Sequence, residues 1–70
     1  MVSCSKILNG FALTLDLQMY SKESILSVAY EFKKKFMIEV NVVSESVLSV
    51  SILSSNGNVP QEIDVNDFMN

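Results

Sequence analysis

The stretch that decides the fold is residues 11–36, FALTLDLQMYSKESILSVAYEFKKKF, in which the spacing of apolar side chains changes once. From Phe11 to Met19 every second residue is apolar, which is the pattern of a strand with one buried face. From Ile25 to Phe36 the apolar residues recur at intervals of three and four, the pattern of an amphipathic helix. The stretch therefore predicts a strand and a helix that share one core.

A helix start signal lies between the two patterns. Ser21 is predicted to be the N-cap, because its side-chain oxygen can accept a backbone N–H of the first turn. Tyr20 and Ile25 occupy the two positions of a hydrophobic staple. We expect this helix to run from Ser21 to about Lys35.

Three consecutive lysines, Lys33, Lys34 and Lys35, form the sole basic cluster of the chain. We expect them in the last helical turn, where the helix dipole favours cations, with Glu31 paired to Lys35. An anion site is the alternative interpretation, but a solvated helix end is the simpler one.

Two more strands are predicted after the helix, Met37–Ser44 and Val47–Ser54, joined by a tight hairpin. Near the N-terminus, Asn9-Gly10 between apolar residues indicates a two-residue turn. A strand over residues 2–8 would then pair with the strand that starts at Phe11, although an irregular lead-in is an equal alternative. Gly10 and Gly57 are both interpreted as turn residues.

The order β-α-β-β predicts a single α+β domain over residues 1–70, a two-layer sandwich of a three- or four-stranded sheet under one main helix. The two strands that flank the helix should be parallel, and the last two should be antiparallel. The predicted core consists of Leu13, Leu15, Leu17, Ile25, Val28, Ala29, Phe32, Phe36, Ile38, Val40, Leu48, Val50 and Ile52.

The C-terminal segment predicts an incipient second helix. Asp64 would cap it, Asp67 would lie in its first turn, and its apolar residues are Val65, Phe68 and Met69. The chain ends before such a helix completes a second turn, so it reads as truncated and too short to bury these side chains. Val65, Phe68 and Met69 are therefore the predicted contacts to a protein partner.

Composition bounds the class of function. The net charge of −3, with five lysines and no arginine, argues against a nucleic-acid partner. No apolar run is long enough to span a membrane, and no signal peptide is recognisable. The single cysteine, Cys4, favours a reducing compartment, so we expect a cytoplasmic protein.

Candidate chemistry is sparse. The chain contains no histidine and one cysteine, so we expect no metal site, no cofactor and no catalytic residue. Asp16 and Glu39 are predicted to meet across the sheet, but two carboxylates without a cleft provide no mechanism. Glu62, Asp64 and Asp67 form a loose acidic group that helix capping explains better than calcium.

The outer face of the sheet is predicted to be polar but almost uncharged. Solvent is its default neighbour, although such strands also accept a partner strand or a covering helix. The residues expected on this face are Thr14, Gln18, Asn41, Ser49 and Ser51, with Val43, Val47 and Leu53 among them.

Residues 15–32, LDLQMYSKESILSVAYEF, resemble the HxsD family, small proteins encoded beside radical-SAM enzymes in the His-Xaa-Ser peptide-modification system. The resemblance continues through residues 36–40 and the DFMN sequence of residues 67–70. Members of that family continue with a longer C-terminal helix, which this chain lacks.

The resemblance implies a non-catalytic accessory or binding module in peptide maturation, with a radical-SAM maturase or its precursor peptide as partner. A structural or oligomeric interaction domain of an unrelated system is the alternative. We expect a homo-oligomer in either case, because association adds core to a small domain.

Overall fold

Six elements follow one another along the chain. In this computed structural model residues 2–69 are described, Val2 and Met69 by their backbone alone. The elements are β1 (Val2–Ile7), β2 (Gly10–Asp16), α1 (Lys22–Phe32), β3 (Met37–Ser44), β4 (Val47–Leu53) and α2 (Glu62–Met69).

The four strands form one sheet in the order β1-β2-β4-β3, and all neighbours are antiparallel. Because β4 lies between β2 and β3, the two strands that flank α1 run in the same direction without touching. The predicted α+β class is confirmed, and the open question about the first residues is answered by a regular β1. Strands β1 and β3 are the two edges.

Both helices contribute side chains to a core on one face of the sheet, which we call the inner face. Val40, predicted in the core, is exposed instead, because it lies on edge strand β3, where only Ile38 is buried. Leu17, Val28 and Phe32 are partly buried against the core. The buried core residues are Phe11, Leu13, Leu15, Ile25, Ala29, Phe36, Ile38, Leu48, Val50, Ile52, Val65 and Phe68.

Gly10 has a different role from the predicted one. Ile7 pairs with Gly10, so the two-residue turn is Leu8-Asn9 and Gly10 is the first residue of β2. A Cβ at position 10 would collide with the carbonyl oxygen of Ile52 on β4. Glycine is therefore required by a close approach of two strands and not by turn geometry.

The Asn56-Gly57 pair forms the turn that the sequence predicts. Both residues have positive φ, 51° and 83°. Ser55 and Asn58 exchange backbone hydrogen bonds of 3.0 and 2.9 Å on either side of them. Positive φ at both central residues is typical of the tight turn that Asn-Gly favours.

Strand β2 ends at Asp16, three residues before the predicted end at Met19. The Asp16 carboxylate accepts the N–H of Gln18 at 2.8 Å, and its carbonyl accepts the N–H groups of Met19 and Tyr20. These hydrogen bonds turn the chain away from the sheet. An Asp side chain that accepts the backbone N–H of the residue two positions later closes a local turn.

Helix α1 begins as predicted. Ser21 has an extended backbone, and its Oγ accepts the N–H of Ser24 at 3.1 Å, so it is the N-cap. Tyr20 is partly buried against the core and Ile25 is fully inside it, as a staple requires.

The end of α1 differs from the prediction. The helix ends at Phe32, so residues 33–35 lie in the following turn and not in the helix. The N–H of Lys35 and that of Phe36 both bond the carbonyl of Phe32, which tightens the chain and turns Phe36 into the core. Glu31 pairs with Lys34 at 3.3 Å instead of Lys35.

Helix α2 begins at Glu62, before the predicted cap. Asp64 is not the N-cap but lies in the first turn, where its carboxylate accepts the N–H of Gln61 at 2.8 Å. This is the reciprocal half of a capping box. The earlier start gives a helix of eight residues, which is enough to bring Val65 and Phe68 to the core.

Candidate interaction surfaces

The predicted contact residues of the C-terminal segment are not a free surface. Val65 and Phe68 are buried in the core of their own chain, and the side chain of Met69 lies outside the described residues. The segment is therefore long enough to bury these two side chains, contrary to the prediction. The helix was predicted to begin too late in the sequence, because Gln61 and Glu62 carry no strong N-cap signal.

The acidic residues singled out above do not converge. Asp16 pairs with Val47 on β4, while Glu39 pairs with Ser51 near the other end of the same strand. The two carboxylates are therefore far apart, contrary to the prediction. The N–H of Gln18 lowers the pKa of Asp16 from its usual value, because this hydrogen bond stabilises the ionised form.

Asp64 takes part in the structure of its own chain. Its second carboxylate oxygen lies 3.8 Å from the Lys35 ammonium, which also lies 5.2 Å from the centre of the Phe36 ring. Among residues 2–69 no group of three or more side chains has the arrangement of a metal site. The capping hydrogen bond from Gln61 and the ion pair with Lys35 thus account for Asp64, and only the capping role was expected from the sequence.

A groove at the β1 edge is bordered by exposed apolar side chains and by polar groups, and we call it the end groove. It has a volume of about 460 Å³ and lies between the β1–β2 turn and the segment that leads into α2. Leu8 at the turn is 96% exposed, and Val59 and Ile63 are each more than half exposed on the opposite wall. Lys6 and Glu62 add one charge of each sign.

Hydrogen bonds hold both walls of the end groove in place. Ser54 donates its N–H and its hydroxyl to the carbonyl of Asn9, at 2.8 and 3.0 Å, so the β1–β2 turn is tied to the end of β4. On the other wall, the side chain of Gln61 donates to the carbonyl of Val59 at 3.4 Å. The exposed apolar side chains therefore project from an ordered backbone.

Sequence patterns alone did not single out the end groove. Leu8 stood beside a turn signal, Val59 stood in a loop, and Ile63 precedes the predicted helix. Isolated apolar residues in such contexts are common on protein surfaces and need no explanation one at a time. The segment of residues 59–63 lies beside the β1–β2 hairpin, and this approach of distant parts of the chain brings them together.

The outer face of the sheet is open, because both helices contribute to the core on the inner face. Across the strands, Thr14 pairs with Ser49 and Ser49 pairs with Asn41, which gives the predicted row of short polar side chains. Gln18 is wrongly assigned to this face, because it lies in the turn after β2. Ser51, Val47 and Leu53 lie on this face by the alternation of β4, whereas Val43 lies at the β-bulge of β3, where the alternation is interrupted.

Within the part of the chain that is described, no helix has the length and apolar character needed to cross a bilayer. Comparisons with protein-family models, with curated proteins and with solved structures find no match for this chain.

Proposed function

We propose that this chain is a non-catalytic binding module that holds a segment of a partner protein in the end groove. The observation that carries the proposal is the exposure of Leu8, Val59 and Ile63 around one groove whose walls are hydrogen-bonded in place. Clustered apolar side chains on an ordered concave surface are typical of interaction sites, whereas scattered ones are not.

The groove suits a short segment that carries both apolar and polar groups. A volume of about 460 Å³ lies within the range of binding sites that take a few side chains. Lys6 and Glu62 on its lining offer one cation and one anion, which can orient a polar backbone or a charged flank of the segment.

The resemblance to the HxsD family supplies a specific partner. In that case the module is a cytoplasmic accessory protein of peptide maturation, and the segment belongs to a radical-SAM maturase or to its His-Xaa-Ser precursor peptide. A radical-SAM gene beside the gene of this chain would support the assignment, and its absence would remove this specific partner.

The experiment is a titration of the full chain with the maturase and with the precursor peptide encoded beside it. Leu8→Ser and Ile63→Ser should each weaken binding at least about tenfold, because each removes roughly 1.5–3 kcal/mol of apolar burial. Met19→Ser is the matched control, since Met19 is 66% exposed and Ile63 is 67% exposed. Binding that neither groove substitution changes would contradict the groove assignment.

A structural or oligomeric domain of an unrelated system is the second candidate. Edge strand β3 favours it, since seven of its eight residues are exposed. Self-association without any maturase or precursor binding would support this candidate over the first.

A further inference from the structure

Edge strand β3 has almost none of the features that keep sheet edges apart. It is eight residues long and contains neither proline nor lysine, and Glu39 is its single charge. A β-bulge interrupts the pairing with β4 only at Val42/Ser44, at the far end. Natural edge strands that remain unpaired usually carry charges, proline or β-bulges, and on β3 these are limited to Glu39 and to the bulge at its C-terminal end.

The exposed side chains around this edge are apolar on both faces. Val42 on the inner face is 70% exposed, Val40 beside it is also exposed, and Met37 is exposed on the outer face. These residues form one apolar border along β3.

We propose that β3 pairs with β3 of a second copy around a two-fold axis at Asn41, so that two four-stranded sheets form one continuous sheet. In this antiparallel register Val40 lies opposite the partner's Val42, and the reverse pair repeats by symmetry. Apolar cross-strand pairs of this kind stabilise a sheet. Glu39 falls opposite the bulged segment of the partner strand, so the two acidic side chains do not face each other.

The charges at the two ends of β3 favour a second copy of this chain as the partner of the strand. The lysines of residues 33–35 precede the strand, where Lys34 and Lys35 also pair with Glu31 and Asp64, and Glu45 follows it in the turn to β4. An antiparallel two-fold pairing brings the basic end of each copy to the acidic end of the other. These charges are solvent-exposed, so they set the direction and register of pairing more than its affinity.

The dimer leaves the end groove free, because that groove lies at the β1 edge, on the opposite side of the sheet. The inference therefore does not rest on the proposed function, and the two can fail separately. A dimer would present one end groove at each end of the continuous sheet.

Sedimentation equilibrium of the full chain over a concentration series tests the association. We expect a monomer–dimer equilibrium for the wild type and for Met19→Lys, and at least about a tenfold weaker dimer for Val42→Lys, because a lysine at the seam must be desolvated. Met19 and Val42 have similar exposure, 66% and 70%, so circular dichroism should show both variants folded.

Disulfide formation tests the register. In a Cys4→Ser background, Asn41→Cys places the two thiols directly opposite each other across the axis, within disulfide reach. Glu39→Cys is the control on the same strand, because its two thiols would be roughly 13 Å apart along the strand direction. A monomer at every concentration, a dimer unaffected by Val42→Lys, or cross-linking at position 39 in preference to 41 would overturn the proposal.

Discussion

Phe32 of α1 and Phe68 of α2 meet edge to face, with ring centres 5.2 Å apart and ring planes inclined by 81°. Phe36, which follows α1, lies 6.3 Å from Phe32 and is buried in the core. This aromatic contact joins the two helices over the sheet. It also explains why a helix of only eight residues is stable, since short helices depend on tertiary packing and not on their own propensity.

We expect a double-mutant cycle with Phe32→Leu and Phe68→Leu to show a coupling of about 0.5–1.5 kcal/mol in the free energy of unfolding, from the edge-to-face geometry. Urea denaturation measures it. Phe68→Ala should cost about 3–5 kcal/mol, more than Phe32→Ala, because Phe68 is buried and Phe32 only partly so. A coupling of zero would mean that the rings contribute area alone.

Gly10→Ala should destabilise the domain by more than about 3 kcal/mol or prevent folding, because the new methyl group meets a strand backbone that cannot move aside. Gly57→Ala should cost only about 1–2 kcal/mol, since the site has open space and the strain comes from positive φ alone. Thermal unfolding followed by circular dichroism compares the two. Equal effects would show that β2 and β4 separate easily at this point.

Ser21→Ala should lower the free energy of unfolding by about 0.5–2 kcal/mol, because the N–H of Ser24 loses its acceptor. Ser27→Ala is the control within the same helix, and we expect it to be neutral or slightly stabilising. The measurement is chemical denaturation of both variants, and a larger effect at Ser27 than at Ser21 would refute the cap assignment.

Asp64→Ala should destabilise the protein by about 0.5–2 kcal/mol, since it leaves the Gln61 N–H without its acceptor at the start of α2. Asp67→Ala provides the comparison, because Asp67 is exposed on the same helix. Hydrogen exchange of the α2 amides reports the local effect. Faster exchange in both variants alike would indicate that charge, and not capping, is responsible.

The lowered pKa of Asp16 predicts a pH dependence of stability. The Gln18 N–H favours the carboxylate, so this contribution is fully present above the usual pKa of Asp and is lost as pH falls through the lower folded-state value. Asp16→Asn should therefore be less stable than the wild type near neutral pH, with the difference shrinking in strong acid. A difference that stays constant with pH would argue against this assignment.

The local elements were predictable because their signals lie within a few residues of each other. The alternation in β2 and β4, the helical spacing of α1 and the Ser21 cap all follow from side-chain periodicity and short-range hydrogen bonding. These features were enough for the α+β class and for most of the core. The lysines of residues 33–35 were misplaced because the helix end depends on where Phe36 enters the core.

Only the tertiary structure decided which surfaces are covered. Insertion of β4 between β2 and β3 makes β3 an edge, which exposes Val40 despite a core-like pattern. The Phe32–Phe68 contact holds the C-terminal helix against the core, and the approach of residues 59–63 to the β1–β2 hairpin forms the end groove. Each depends on contacts between residues distant in sequence, so hydrophobic periodicity determined the elements of this protein while chain topology determined its free surfaces.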